Sequence, residues 1–431
     1  MPFESIPLEV ERHTLDNGLK VNLHRDTSLP LVTLNLWYHV GSKNERPGRT
    51  GFAHLFEHML FQGSEHVDTN DHFRYIQQVG GVVNGSTWYD RTNYYETLPS
   101  QHLDLGLWLE SDRMGFLLPA ITQEKLENQR SVVMNERRQR VDNRPYGRAY
   151  ERLHEMLFPE LHPYHWPVIG YMEDIAAATL EDVQSFFSTY YAPNNAVLTV
   201  AGDFETEKAL ESIRSYFEPI PAAAPIAAVE AELPPMTGEQ REVIEDDIQL
   251  PRIYLGFRAP AYGERLWYAA DLLTRALAGG KSSPLYEDLV YRRQIAQDVS
   301  AHVFPTEIAA TCYFVATCKP GVEPAELEKA LFEHLARAAS EPLTDAELDR
   351  PRNQILSGYY QSLQPLDRRA DLLSEFTTYF DDPGRVRLEP ENYLRLEAED
   401  LKTYASTFLK PDQRVVLTFV PRTESATRGD S

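Results

Sequence analysis

Apolar residues in this chain switch between two periods, and the switches mark out its elements. Around Asn17 and Gly18, HTLDNGLKVNLHR alternates apolar and polar positions on either side of a dipeptide suited to a tight hairpin turn. LVTLNLWYHV (31–40) reads as another strand from its β-branched and aromatic content, and VVNGSTWYDRTNYYETL (82–98) predicts a second hairpin. TGFAHLFEHMLF shifts to helical spacing. In LDLGLWLESDRMGFL and ITQEKLENQRSVVMNERRQRV apolar residues recur at three and four, which predicts two further helices.

The pattern also repeats on a longer scale. PIPAAAPIAAVEAELPP (219–235) holds five prolines and many alanines with no clear period, the composition of a linker. Before it, YYAPNNAVLTVAGDF (190–204) is a turn feeding a buried strand. TFLKPDQRVVLTFVP (407–421) repeats that turn and strand, with Pro193 and Pro411 218 positions apart. We therefore expect two similar α+β domains, 1–218 and 236–421, joined by the 219–235 linker. The tail RTESATRGDS (422–431) lacks apolar anchors and is expected to be disordered.

A chain of 431 residues with 42% apolar content is too long for one ordinary core. Its 42 basic and 65 acidic side chains give a net charge of −23, which disfavours nucleic acid and anionic membranes as partners. The start, MPFESIPLEVERHTLDNG, has no basic segment followed by an apolar run, and no stretch approaches the roughly 18 apolar residues of a membrane span. These features lead us to expect a soluble cytoplasmic protein. Cys312 and Cys318, spaced six apart in the strand-like TCYFVATC, share one face and read as buried thiols.

One stretch carries chemistry. In HLFEHMLFQGS (54–64), His54 and His58 stand four apart, so a helix stacks their imidazoles on one face, with Glu57 beside them. Zinc accepts imidazole and carboxylate donors, and a catalytic site uses three protein ligands and keeps one position open. The His-x-x-Glu-His order inverts the better-known metalloprotease helix and leaves Glu57 to take a proton from water. A third ligand should be an acid on an otherwise buried face. In TQEKLENQRSVVMNERRQR, Leu126, Gln129, Val132 and Val133 form an apolar-leaning stripe, and Glu136 falls on it, whereas Glu124 and Glu127 project away. The other reading of Glu136 is a buried ion pair with a nearby arginine.

With these residues in place, HLFEHMLFQGS, GGVVNGSTWYDRTNYY, LWLESDRM, NQRSVVMNERRQ and HPYHWPVIG, in this order and spacing, closely resemble the inverted-motif zinc peptidases of the pitrilysin, insulin-degrading enzyme and mitochondrial processing peptidase family. The match is nearest the half-length bacterial members and covers essentially the whole chain. The resemblance implies two homologous α+β domains, each a mainly antiparallel sheet packed with helices, forming half of a clam-shell chamber that encloses peptides or unfolded polypeptides. It makes His54, His58 and Glu136, 78 residues after His58, the ligands of one zinc ion per chain, and Glu57 the general base. It gives Asn84 and Gly85 the role of holding substrate backbone on an edge strand; by itself Asn84 also fits a turn. Where the family has a further acid one helical repeat before the third ligand, this chain has Gln129.

The second half departs further. AADLLTRALAGGKSS (269–283) has Asp271, Thr274 and Arg275 in place of the His, Glu and His, so no second metal site is expected. LVYRRQIAQDV (289–299) has Val290 and Gln297 where the family's second half supplies an arginine and a tyrosine to substrate. This implies a heterodimer in which a homologous second subunit brings the Arg/Tyr pair. The competing arrangement is a homodimer using Arg292 or Arg293. The expected function is a zinc metalloendopeptidase subunit, and the alternative is a non-catalytic structural or peptide-binding subunit of the same fold.

Overall fold

A computed structural model describes residues 8–422; the expected disordered tail therefore lies outside the described residues except for Arg422. The chain forms two compact units.

The first unit is built on six strands: β1 (Glu11–Thr14), β2 (Lys20–Arg25), β3 (Leu31–Tyr38), β4 (Val82–Thr87), β5 (Thr92–Pro99) and β6 (Ala196–Gly202). Their order is β1-β2-β6-β3-β5-β4, with β2 and β6 parallel and the rest antiparallel. Strand β3 shows how the sheet faces divide. Val32, Leu34, Leu36 and Tyr38 enter an apolar core shared with helices α1 (Phe52–Met59), α2 (Asp71–Gln78), α3 (Leu103–Phe116) and α4 (Gln123–Arg137). Thr33, Asn35 and Trp37, on the other face, are equally buried. The helix Leu366–Phe380 covers them and brings matching polar groups. Asp371 accepts from Trp37 Nε1 at 3.0 Å, Thr377 Oγ1 accepts from Asn22 at 2.8 Å, and Ser374 and Thr199 hydroxyls meet at 2.7 Å. Trp37 Nε1, the Asn22 amide nitrogen and the Ser374 and Thr199 hydroxyls thus each find a partner, as burial favours.

The second unit holds β7 (Gln240–Asp246), β8 (Arg252–Ala259), β9 (Ala296–Phe304), β10 (Ala310–Cys318) and β11 (Arg414–Pro421) in the order β7-β11-β8-β10-β9. Counted along each half from β2 and from β7, both sheets have the order 1-5-2-4-3, and β6 and β11 start 218 positions apart. The internal repeat is therefore structural. Helix α5 (Ala149–Leu157) packs on this sheet, its Leu153 and Leu157 lying over Gly256. Cys312 and Cys318 are buried free thiols, and burial pushes them up to about 12 and about 11.

The units do not take the contiguous boundaries expected from the linker. Residues 138–165 belong to the second unit and 358–390 to the first, so each half of the chain lends a helical segment to the other unit. A second correction concerns α4. Leu126, Gln129 and Val133 are buried, but Val132 is 41% exposed and does not belong to the stripe. Among the described residues no helix is long and apolar enough to cross a membrane.

Candidate metal centre

Helix α1 is fixed at its first turn. The Glu45 carboxylate accepts from the amides of Gly51 at 2.9 Å and Ala53 at 2.7 Å, filling the donors that a helix N-terminus leaves open. Asp174 accepts from both the amide and the hydroxyl of Thr50, at 3.0 and 2.7 Å. Gly51, at φ +81°, has Ile169 O only 2.7 Å from where a Cβ would stand, so only glycine fits this start. Leu55, Phe56 and Met59 then enter the core. The opposite face of α1 is left with His54, Glu57 and His58.

Helix α4 brings up the remaining acid. With Leu126, Gln129 and Val133 inward, Glu136 points to the two imidazoles. Its Oε2 lies 3.3 Å from His58 Nε2 and 3.8 Å from His54 Nε2. The three side chains are only 12, 23 and 16% exposed for His54, His58 and Glu136. Their donor atoms all lie within 4.8 Å of one another. Bonds of about 2.1 Å at tetrahedral angles separate donors by about 3.4 Å, so two imidazole nitrogens and a carboxylate oxygen at these spacings fit a zinc ion with one position open. The neighbouring Arg137 donates to Gly170 O at 2.7 Å.

Glu57 stands beside this set. Its Oε2 accepts from Thr87 Oγ1 on β4 at 2.5 Å, and its Oε1 lies beside Gly85, where a Cβ would come within 3.3 Å of it. Burial raises the Glu57 carboxyl above the usual range, against the pull of the Thr87 hydroxyl, His58 and Arg91. Among the described residues strand β4 is an edge of its sheet, pairing only with β5. Asn84 is exposed there, and its Oδ1 accepts from the Gly85 amide at 2.9 Å.

A second convergence of metal-ligating types, His72, Glu96 and Glu110, is wholly buried. A cation already occupies it. Arg113 donates through Nε to Glu110 Oε2 at 2.9 Å and through Nη2 to Glu110 Oε1, and lies 4.2 Å over the Tyr94 ring. Burial, and then the neighbouring Glu110, push Glu96 far above the carboxylate range, so it enters the core as an acid. We read this cluster as structural.

Comparison with known proteins fixes the family. The model for Insulinase (Peptidase family M16) matches residues 20–163, and that for the Peptidase M16 inactive domain matches 177–355. Zinc protease PqqE of Helicobacter pylori is 30% identical over 417 residues, covering 95% of this chain and 93% of that one. The chain belongs to peptidase family M16. A probable mitochondrial-processing peptidase subunit beta of Arabidopsis thaliana is 24% identical, over 90% of this chain and 74% of its own length. The crystal structure of a protease from Helicobacter pylori superposes with a TM-score of 0.90 at 29% identity, covering 96% of this chain and all of that one.

In the second half of this M16 chain, the positions answering to the histidine helix are differently engaged. Asp271 accepts from the Tyr393 hydroxyl at 2.9 Å, Thr274 donates to Asp271 O at 2.9 Å, and Arg275 is exposed. Val290 is buried in that unit's core and Gln297 is exposed on β9. Arg292 pairs with Glu287 at 3.1 Å, and Arg293 with Asp288 and Glu333 at 3.0 and 2.9 Å. Sequence reasoning had missed Glu45, Thr87 and the Arg113 cluster. Thr87 alone left a signal, since it follows Gly85 by two on one strand and so shares its face.

Proposed function

We propose that this chain is the metal-bearing subunit of a zinc endopeptidase acting on peptides or unfolded polypeptides. The observation that carries the reading is the convergence of His54, His58 and Glu136 on one point, with Glu57 turned aside and held by Thr87. Bound by those three side chains, one zinc ion supplies Lewis acidity toward a peptide carbonyl and toward the attacking water. Glu57 accepts the water proton as the new C–O bond forms, then returns it to the amine nitrogen as the C–N bond breaks. Asn84 and Gly85, on a free edge beside Glu57, hold the substrate backbone as an added strand.

The complete enzyme needs a second, homologous subunit carrying an Arg/Tyr pair, with substrate enclosed between the two chains. Supporting this, Val290 and Gln297 stand at the matching positions, both neighbouring arginines are engaged in local ion pairs, and one relative is itself named as a subunit. A non-catalytic scaffold would leave the Glu57 arrangement without a use.

Metal analysis combined with a fluorogenic peptide assay, run with and without candidate partner subunits, tests both parts. We expect stoichiometric zinc, loss of hydrolysis on chelation, and a Glu57→Gln variant that keeps zinc yet does not cleave. Near-wild-type cleavage by that variant, or absence of zinc, overturns the enzymatic reading; full activity of the chain alone overturns the heterodimer.

A further inference from the structure

The reading above leaves open which oxygen of Glu57 handles the proton. A free carboxylate offers two equivalent oxygens, and a rotamer change would exchange them. In this structure they are not equivalent. Oε2 receives the Thr87 hydroxyl at 2.5 Å, while Oε1 lies 3.3 Å from where a Cβ on Gly85 would stand. Gly85 and Thr87 are two apart on β4 and project to the same face, so one edge strand both supplies the hydroxyl and leaves the open space. Thr87 is itself held at the strand end, paired with Thr92, whose hydroxyl donates to Val40 O at 2.9 Å.

We propose that Thr87 is a positioning residue that assigns proton transfer to Oε1 of Glu57. The inference rests on Glu57 being the base. The hydroxyl has one proton, and it points at Oε2. When water loses its proton to Oε1, Oε2 becomes the carbonyl oxygen of the resulting acid and still accepts from Thr87, so the contact persists in both states. Were the proton to land on Oε2, the Thr87 hydroxyl would have to turn its own hydrogen away and accept instead, so the contact would reverse and the Thr87 hydrogen would need a new acceptor in this half-buried place. The same bond restricts the side-chain torsions of Glu57, keeping Oε1 beside Gly85.

Thr87→Val removes the hydroxyl and keeps the branched shape; Thr87→Ser keeps the hydroxyl. Both are measured beside Glu57→Gln, each with its zinc content, its melting temperature, kcat and KM on a fluorogenic peptide in the presence of the partner subunit, and a crystal structure of the zinc-loaded Thr87→Val form. We expect Thr87→Val to lower kcat about ten- to a hundredfold, the worth of a hydrogen bond to a charged group, with KM, zinc content and melting temperature close to wild type. Thr87→Ser should restore kcat to within about threefold, and Glu57 should occupy more than one rotamer in the Val variant. Unchanged kcat in Thr87→Val beside an inactive Glu57→Gln overturns this inference alone. So does a Ser variant as slow as Val, or a Val variant that loses zinc or stability along with activity. Turnover by Glu57→Gln overturns the role of Glu57 and this assignment with it.

Discussion

Replacing Arg113 by methionine removes a charge from the core while keeping most of the side-chain volume. Arg113 is 1% exposed, and its partners Glu110 and Glu96 are fully buried. Removing one member of a buried ion pair costs about 3–5 kcal/mol, because the remaining charge stays desolvated. The guanidinium also lies 4.2 Å over Tyr94 and 5.2 Å over Phe61, contacts worth about another 1 kcal/mol. At roughly 2–4 °C per kcal/mol for a unit of this size, the melting temperature should fall roughly 10–20 °C. Glu110→Gln should cost far less, about 1–2 kcal/mol, since Glu96, buried as an acid, can ionise and become the counter-charge. Differential scanning calorimetry of the two variants reads this asymmetry between cation and carboxylate. A methionine variant melting within about 2 °C of wild type, or a glutamine variant melting lower than the methionine one, would refute the account of a buried cation paired with Glu110 and a neighbouring Glu96 able to replace it.

Two further outcomes follow from the geometry. Burial lowers His154 and His162 to about 4, so the folded state binds fewer protons than the unfolded state, whose imidazoles titrate near 6.5; their stabilising contribution is complete above that value and is lost as pH falls toward 4. Thermal scans should show the transition of their unit weakening by pH 5, on the order of 2 kcal/mol for each histidine, and a pH-independent midpoint between 7.5 and 5 would contradict this. Gly85→Ala would set a methyl 3.2 Å from the Tyr94 ring and 3.3 Å from Glu57; peptide hydrolysis should slow about tenfold with zinc retained, and an alanine variant as fast as wild type would show that this space is not needed.

Much of the site was legible because its signals are local. The four-residue spacing of His54 and His58 needs only a helix to stack them, and the stripe through Leu126, Gln129 and Val133 points Glu136 inward once that helix packs. Val132 was assigned to that stripe wrongly because it sits one step off the inward line, a difference of about 100° that hydrophobicity alone does not reveal. The 218-residue repeat was likewise legible, since both copies carry the same turn before a buried strand.

The sequence by itself thus determined the element types, the internal repeat and which side chains are candidates to hold a metal, all of which depend on short-range spacing. Tertiary structure alone decided that Asn22, Asn35 and Thr199 are buried beneath a helix from the other half of the chain, and that 138–165 and 358–390 each join the other half's unit. It also decided that Thr87 meets Glu57, thirty residues away. Alternation along a strand shows that two faces differ, but not what covers each of them; hydrogen bonds between distant segments depend on how those segments pack, which no local period encodes.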